Sequence, residues 1–221
     1  MHFTPSEALA IAAFKEMDYT AVRDYHLPIE LMMENAGLML AKLVAENAGL
    51  NGRILIGAGN GNNGGGGLVA ARRLAAWGYK VYLDLPVPIT KELPKRQLDR
   101  ALLFGAQKQK GDTQPDVWID AYLGFSQRSP LAEEFVSVIN SANTSKALRI
   151  SLDLPTGIAA TTNTQMFMAD IVLTLAAPKL ILNTLSESTR IYIADIGIPE
   201  PLYKQFGIGL PNFYNHQKRK H

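Results

Sequence analysis

Cysteine is missing from all 221 positions. Its absence excludes disulfides, thiolate zinc sites and cysteine nucleophiles, and it is the usage expected of a reducing, cytoplasmic compartment. Histidine is scarce. His2, His26, His216 and His221 show no ligand spacing and read as surface or terminal residues. No apolar run reaches the ~20 residues that a membrane helix needs. The N-terminus has no basic stretch ahead of an apolar core, so no secretory signal is expected. Charge of one sign is also lacking: the net value is +2 with histidine neutral. That leaves no footprint for nucleic acid, and the basic end Lys218-Arg219-Lys220-His221 reads as a solvated terminus. No membrane or nucleic-acid partner is therefore expected.

What is present is a large apolar fraction, 47% of residues, which makes the chain globular rather than disordered. Its length suits one medium domain over residues 1–221. Helices are expected at residues 6–17, with Ser6 as N-cap, and after Pro28, where Leu31, Met32, Ala36, Leu40, Leu43 and Val44 recur at helical steps. Strands and helices then alternate. Strands are expected at 53–57, 80–85, 117–120, 148–152, 171–175 and 191–195, and helices at 63–77, 92–104, 130–141 and 200–206. Several strands are continuous apolar runs, the mark of strands covered on both faces. The pattern predicts an α/β fold, a three-layer αβα sandwich of Rossmann-like character with a mostly parallel central sheet.

The most informative stretch is Gly59-Asn60-Gly61-Asn62-Asn63-Gly64-Gly65-Gly66, between an expected strand and an expected helix. Glycines there bring backbone N–H groups close to a ligand, and a helix start suits phosphate. The asparagine side chains can bind a cation, a sugar or an amide. No Gly-Lys-Ser/Thr follows, which excludes the usual triphosphatase loop. Two further strands end in Asp120 and Asp153, so three strands deliver amide or acidic groups to one sheet edge. Oxygens from Asn63, Asp120 and Thr156 could enclose a hard cation: magnesium, calcium or a monovalent ion.

The asparagine–glycine stretch, continued through Gly67-Leu68-Val69-Ala70-Ala71-Arg72, resembles the signature of the NAD(P)H-hydrate epimerases, the YjeF N-terminal domain family. Leu31-Met32-Met33-Glu34-Asn35-Ala36-Gly37 is similar to an early helix motif of that family. Asp120-Ala121-Tyr122-Leu123-Gly124-Phe125 and Asp153-Leu154-Pro155-Thr156-Gly157 resemble its later loops. Leu173-Thr174-Leu175-Ala176-Ala177-Pro178-Lys179 and Ala194-Asp195-Ile196-Gly197-Ile198-Pro199 are similar to its closing strands.

The resemblance implies an isomerase that interconverts the R and S forms of hydrated NADH and NADPH as metabolite repair. It implies substrate contacts at Asn62, Asn63, Gly64, Gly65 and Gly66, at Gly124, Phe125, Ser126, Gln127, Arg128, Ser129 and Pro130, and at Asp153. It implies a potassium ion at Asn63, Asp120 and Thr156, a homodimer, and work alongside a separate dehydratase, whose domain this chain is too short to contain. Asp153 is the expected catalytic acid. One departure stands out: Gly66 occupies a position where the family carries aspartate, and a catalytically weakened binding or interaction protein is the alternative. Thr156 stands where the family has serine and keeps the hydroxyl. A conventional dehydrogenase would need an acidic ribose reader, for which Asp84 is the candidate.

Overall fold

The computed structural model describes residues 3–109, 114–158, 165–211 and 213. His2, His216, His221 and the basic end fall outside them. Among the described residues the chain builds one seven-stranded sheet. Its strands are β1 (Arg53–Ala58), β2 (Lys80–Asp84), β3 (Gln107–Lys108), β4 (Val117–Ala121), β5 (Leu148–Leu152), β6 (Ile171–Leu175) and β7 (Arg190–Ala194). Their order is β3-β2-β1-β4-β5-β6-β7 and every pairing is parallel. The helices are α1 (Ile11–Asp24), α2 (Ile29–Asn47), α3 (Asn62–Ala76), α4 (Glu92–Leu103), α5 (Glu133–Thr144) and α6 (Glu200–Gln205).

Alternate residues of the strands feed two separate cores, which makes the three layers. Ile54, Ile56, Ile119, Ile171 and Leu173 pack with Leu40, Val44, Leu68, Leu74 and Leu202 on one face. Leu55, Trp118 and Val172 pack with Ile139, Ala142, Phe167 and Leu182 on the other. The second face is thinner, carrying α5 and a 3-10 helix at Leu180–Thr184. Among the described residues no helix is long and apolar enough to cross a membrane.

Several boundaries differ from the sequence expectation. The first helix begins at Ile11 rather than residue 6. Ser6 Oγ instead meets the Thr4 hydroxyl at 2.9 Å, and Leu9 pairs with Lys179 in a parallel bridge. The bridge holds Leu9 extended and overrides the local cap signal. The fifth expected helix starts at Glu133 instead of residue 130, with two acidic residues in its first turn. β3 and the 3-10 helix were not expected, since two and five residues carry no readable period.

α2 and α3 approach closely because Gly37 has no side chain. A Cβ there would lie 2.4 Å from Val69 Cγ1 and 2.8 Å from the Gly66 carbonyl oxygen. Gly37→Ala should therefore cost about 1–3 kcal/mol, whereas Gly49→Ala, with nothing within 4 Å of its Cβ, should stay within ~0.5 kcal/mol of the parent. Urea denaturation of the two variants checks this; equal midpoints would contradict it.

Candidate active site

Successive connections leave β1 and β4 in opposite directions along the sheet. In parallel α/β sheets ligands bind at the carboxyl ends of strands at such a switch point. A cavity of about 570 Å³ opens there. Asn62, Asn63 and Gly66 from the start of α3, residues 124–127 after β4, and Asp153 after β5 form part of its wall. Met32, Met33 and Ala36 of α2 add an apolar side. Most residues expected at the site are thus brought together.

The others lie elsewhere. Arg128, Ser129 and Pro130 are exposed and outside the wall. Gly64 and Gly65 lie behind it and serve close packing. A Cβ on Gly64 would sit 1.9 Å from the Gly59 carbonyl oxygen, and one on Gly65 2.5 Å from Met33 Cε. Gly66 belongs to the second turn of α3, so it is ordered helix and not a loosened loop. Asn60 lines the cavity, but its side chain is engaged: its Oδ1 accepts the Thr90 and Lys91 N–H groups, and its Nδ2 donates to Thr90 Oγ1. Asp84 is no ribose reader, because its carboxylate accepts the Tyr122 hydroxyl and stands outside this wall. Burial raises that carboxyl, and the hydrogen bond from Tyr122 opposes the shift.

The three expected cation ligands converge on the Leu123 peptide. Asn63 Nδ2 donates to the carbonyl oxygens of Leu123 (2.9 Å) and Leu152 (3.2 Å). The Leu123 N–H donates to Thr156 Oγ1 at 3.2 Å, and that hydroxyl donates to Asp120 Oδ1 at 2.6 Å. Sheet register places Ser151 opposite Asp120, and its hydroxyl donates to Asp120 Oδ2 at 2.8 Å. The Thr156 N–H reaches the same oxygen at 2.8 Å. Burial pushes the Asp120 carboxyl up to about 6, while the Thr156, Ser151 and Tyr122 donors oppose the shift.

Asn63 Oδ1 is buried and has no partner among the described residues. Two donated bonds fix its amide with that oxygen outward from them. One carboxylate, one hydroxyl and one unpartnered amide oxygen make a hard donor set with a single negative charge. That chemistry fits a monovalent cation better than a divalent one.

Asp153 takes a left-handed backbone, φ 68°, at the end of β5. Aspartate tolerates this region better than most residues. Its Oδ1 accepts a bond from Lys179 Nζ at 2.6 Å and its Oδ2 accepts the Phe125 N–H at 3.1 Å. Lys179 has no exposed surface. Its ammonium also donates to the Leu175 carbonyl oxygen (2.7 Å) and Thr174 Oγ1 (3.1 Å) and lies 3.6 Å from the centre of the Phe14 ring. Burial lowers its pKa, and the charge of Asp153 opposes the shift.

Sequence reasoning assigned no role to Lys179, nor to Asp18 on the same cavity wall. A signal for Lys179 exists: it is the one charge in the apolar run Ala176-Ala177-Pro178-Lys179-Leu180-Ile181-Leu182. Asp18 has none, since it stands among the polar positions of an amphipathic helix.

Comparison with known proteins bears on the reading. The family model described as "YjeF-related protein N-terminus" matches residues 29–181. An NAD(P)H-hydrate epimerase of Rhodopirellula baltica is 34% identical over 211 residues, covering 88% of this chain and 86% of the relative. A bifunctional NAD(P)H-hydrate repair enzyme Nnr of Thermofilum pendens is 31% identical over 77% of this chain, which spans 36% of that longer protein. The crystal structure of yeast ynu0, YNL200c, superposes with a TM-score of 0.85 at 22% identity, over 94% of this chain and 96% of that one, so it shares the fold.

Removing one partner of a buried ion pair strands the other charge, which costs about 3–5 kcal/mol. Lys179→Met should be destabilised by that amount. The double variant Asp153→Asn with Lys179→Met should recover much of it. Additive losses in the double variant, measured by denaturant unfolding, would show that the two side chains are energetically independent.

Proposed function

The chain belongs to the YjeF-related protein N-terminus family, and on that premise we propose that it is an isomerase, an NAD(P)H-hydrate epimerase acting in metabolite repair. It would interconvert the R and S forms of hydrated NADH and NADPH. The observation that carries this reading is the cavity at the β1–β4 switch point, where the start of α3 and the buried Asp153 share one wall. Its volume lies in the range of small-molecule and cofactor sites. The backbone N–H groups that open α3 suit the substrate's phosphates. Met32, Met33 and Ala36 offer an apolar surface to a ring.

The carbon to be inverted bears a hydroxyl and a ring nitrogen. Protonated loss of the hydroxyl as water leaves an iminium ion, and return of water to the other face inverts the centre. This chain needs to supply a proton, hold a cationic ring and limit side reactions. Asp153, fixed by Lys179 and the Phe125 N–H, places a carboxylate at the wall where that positive charge develops. Asn63, Asp120 and Thr156 would hold a potassium ion, which supplies fixed positive charge and no redox chemistry. The ion's support here is the unpartnered Asn63 Oδ1 beside Asp120 and Thr156.

We extend the reading to a cytoplasmic homodimer that works alongside a separate dehydratase. Exposed Tyr19 on α1, Tyr25 just after it and Leu31 on α2 support the dimer. Pure protein given one hydrate epimer should speed its equilibration with the other, and faster in potassium chloride than in choline chloride. Chromatographic separation of the epimers reads both effects. No acceleration over buffer would overturn the enzymatic reading, and equal rates in the two salts would overturn the potassium assignment.

A second reading rests on Gly66, which lines the cavity without a side chain. It treats the protein as a weakened relative that binds more than it turns over. A Cβ at this position meets only Leu152 Cδ2 at 3.1 Å and Ala36 Cβ at 3.9 Å, so a side chain can be admitted with a small shift of Leu152. On this reading Gly66→Asp should raise turnover or affinity about 10- to 100-fold, the worth of one hydrogen bond to a charged group. Steady-state kinetics unchanged by Gly66→Asp would remove the reading.

A further inference from the structure

The proposed isomerisation needs a group that gives a proton to a leaving hydroxyl and later takes one from water. Both oxygens of Asp153 are engaged, one by an ammonium and one by a backbone N–H. Both oxygens are therefore held by the protein. The cavity wall contains a second carboxyl, Asp18 of α1.

Its placement follows from the helix. Phe14 and Asp18 are one turn apart and share a face. The Phe14 ring lies against the Lys179 ammonium and meets the Phe125 ring edge-on, with centroids 5.3 Å apart. That packing turns the shared face of α1 to the cavity and sets Asp18 opposite the Asp153–Lys179 pair. Among the described residues Asp18 has no hydrogen-bond or ion-pair partner, and it is half-buried. It is a carboxyl held at the wall with its oxygens uncommitted.

Resting on the isomerase reading, we propose that Asp18 is the group that carries the proton in this cavity, and that Asp153 stabilises the ring cation. The charged groups that act on Asp18 from neighbouring elements are Asp153 after β5 and Lys179 after β6. Lys91 and Tyr122 stand elsewhere on the wall. Burial, then the negative charge of Asp153, raises the Asp18 carboxyl to about 6 against the opposing influence of Lys179. A protonated fraction therefore persists near neutral pH. Two carboxyls whose surroundings differ in this way divide into an acid and a fixed charge.

In the step itself the Asp18 O–H bond breaks and its proton joins the substrate hydroxyl. The C–O bond then breaks with its electrons leaving on water, while the nitrogen lone pair forms the C=N bond. In the return, a water oxygen bonds carbon on the opposite face and the C=N pair goes back to nitrogen. The extra water proton passes to the Asp18 carboxylate. No oxidant or reductant enters.

The test measures epimerisation of a single NADH-hydrate epimer by the whole protein across pH 5–9. Wild-type kcat/KM should fall as pH rises through about 6. Asp18→Asn should lose about 10²–10⁴-fold in kcat, keep KM near the parent value and show no such pH limb. Asp18→Glu should restore part of the rate. Asp153→Asn should also be slow but retain the pH limb. Because the folded-state value is raised, the Asp18 charge lowers stability as pH rises from the ordinary carboxylate range through about 6. Asp18→Asn should then melt at or above the wild-type temperature at pH 8, which separates a chemical defect from a folding one. A wild type that turns over, with Asp18→Asn equally fast or still showing the limb, overturns the assignment to Asp18 alone. A wild type without turnover overturns the isomerase reading and this assignment with it.

Discussion

Lys179 is a cation with no exposed surface, and the edge of the sheet is arranged around keeping it charged. Burial works against the ammonium, and four contacts oppose that cost: Asp153, Thr174, the Leu175 carbonyl and the Phe14 ring. They come from three places in the chain. Asp153 follows β5, Thr174 and Leu175 close β6, and Phe14 belongs to α1. The pair therefore ties two adjacent strand ends to the first helix. Through the Phe125 N–H on Asp153 it also sets the loop after β4. A buried ion pair is weak evidence for net stability, since desolvation can exceed the attraction. Its value here is positional: losing either partner leaves a stranded charge, so alternative arrangements of these loops are disfavoured.

Beside that pair lies a second polar cluster, and the two differ in what they leave open. Around Asp120 every carboxylate contact is met by a protein donor, from Ser151, Thr156 and Tyr122. Next to it, Asn63 Oδ1 is buried with no partner among the described residues. A buried acceptor left unpaired costs about 1–3 kcal/mol, and a bound cation would relieve it. The glycines of α3 have a separate task. Gly67 lets the helix settle on β4, since a Cβ there would lie 2.5 Å from Ala121 Cβ. Gly64 and Gly65 let its first turn pass Gly59 and Met33. The same absence of side chains that permits this packing leaves Gly66 as a bare patch on the cavity wall.

Much of the fold was legible. β5 and β6 match the expected spans residue for residue, because each has an apolar residue at every second position and an aspartate at one end. The site was legible where it sits at strand ends. Asp120 near the end of β4, Asp153 just after β5 and the Asn62–Asn63 pair after β1 all sit at the ends of strands that period and composition identify. The first helix was read too early because Leu9 pairs with Lys179, a contact 170 residues away in sequence. Arg128 was expected as a substrate contact from the family resemblance, yet it is exposed and outside the cavity wall.

The amino-acid order by itself determined which segments become strands, which become helices, and which residues sit at their ends. These follow from local steric and hydrophobic preferences that act over a few residues. Only the tertiary structure decided what those ends face. Asn60 and Asn63 are three residues apart in one glycine-rich stretch. The first bonds Thr90 and Lys91, while the second turns toward Leu123 and keeps an oxygen free. Lys179 and Asp18 acquire their roles from groups tens to hundreds of residues distant. Burial and charge depend on distance in space, and no local pattern encodes that.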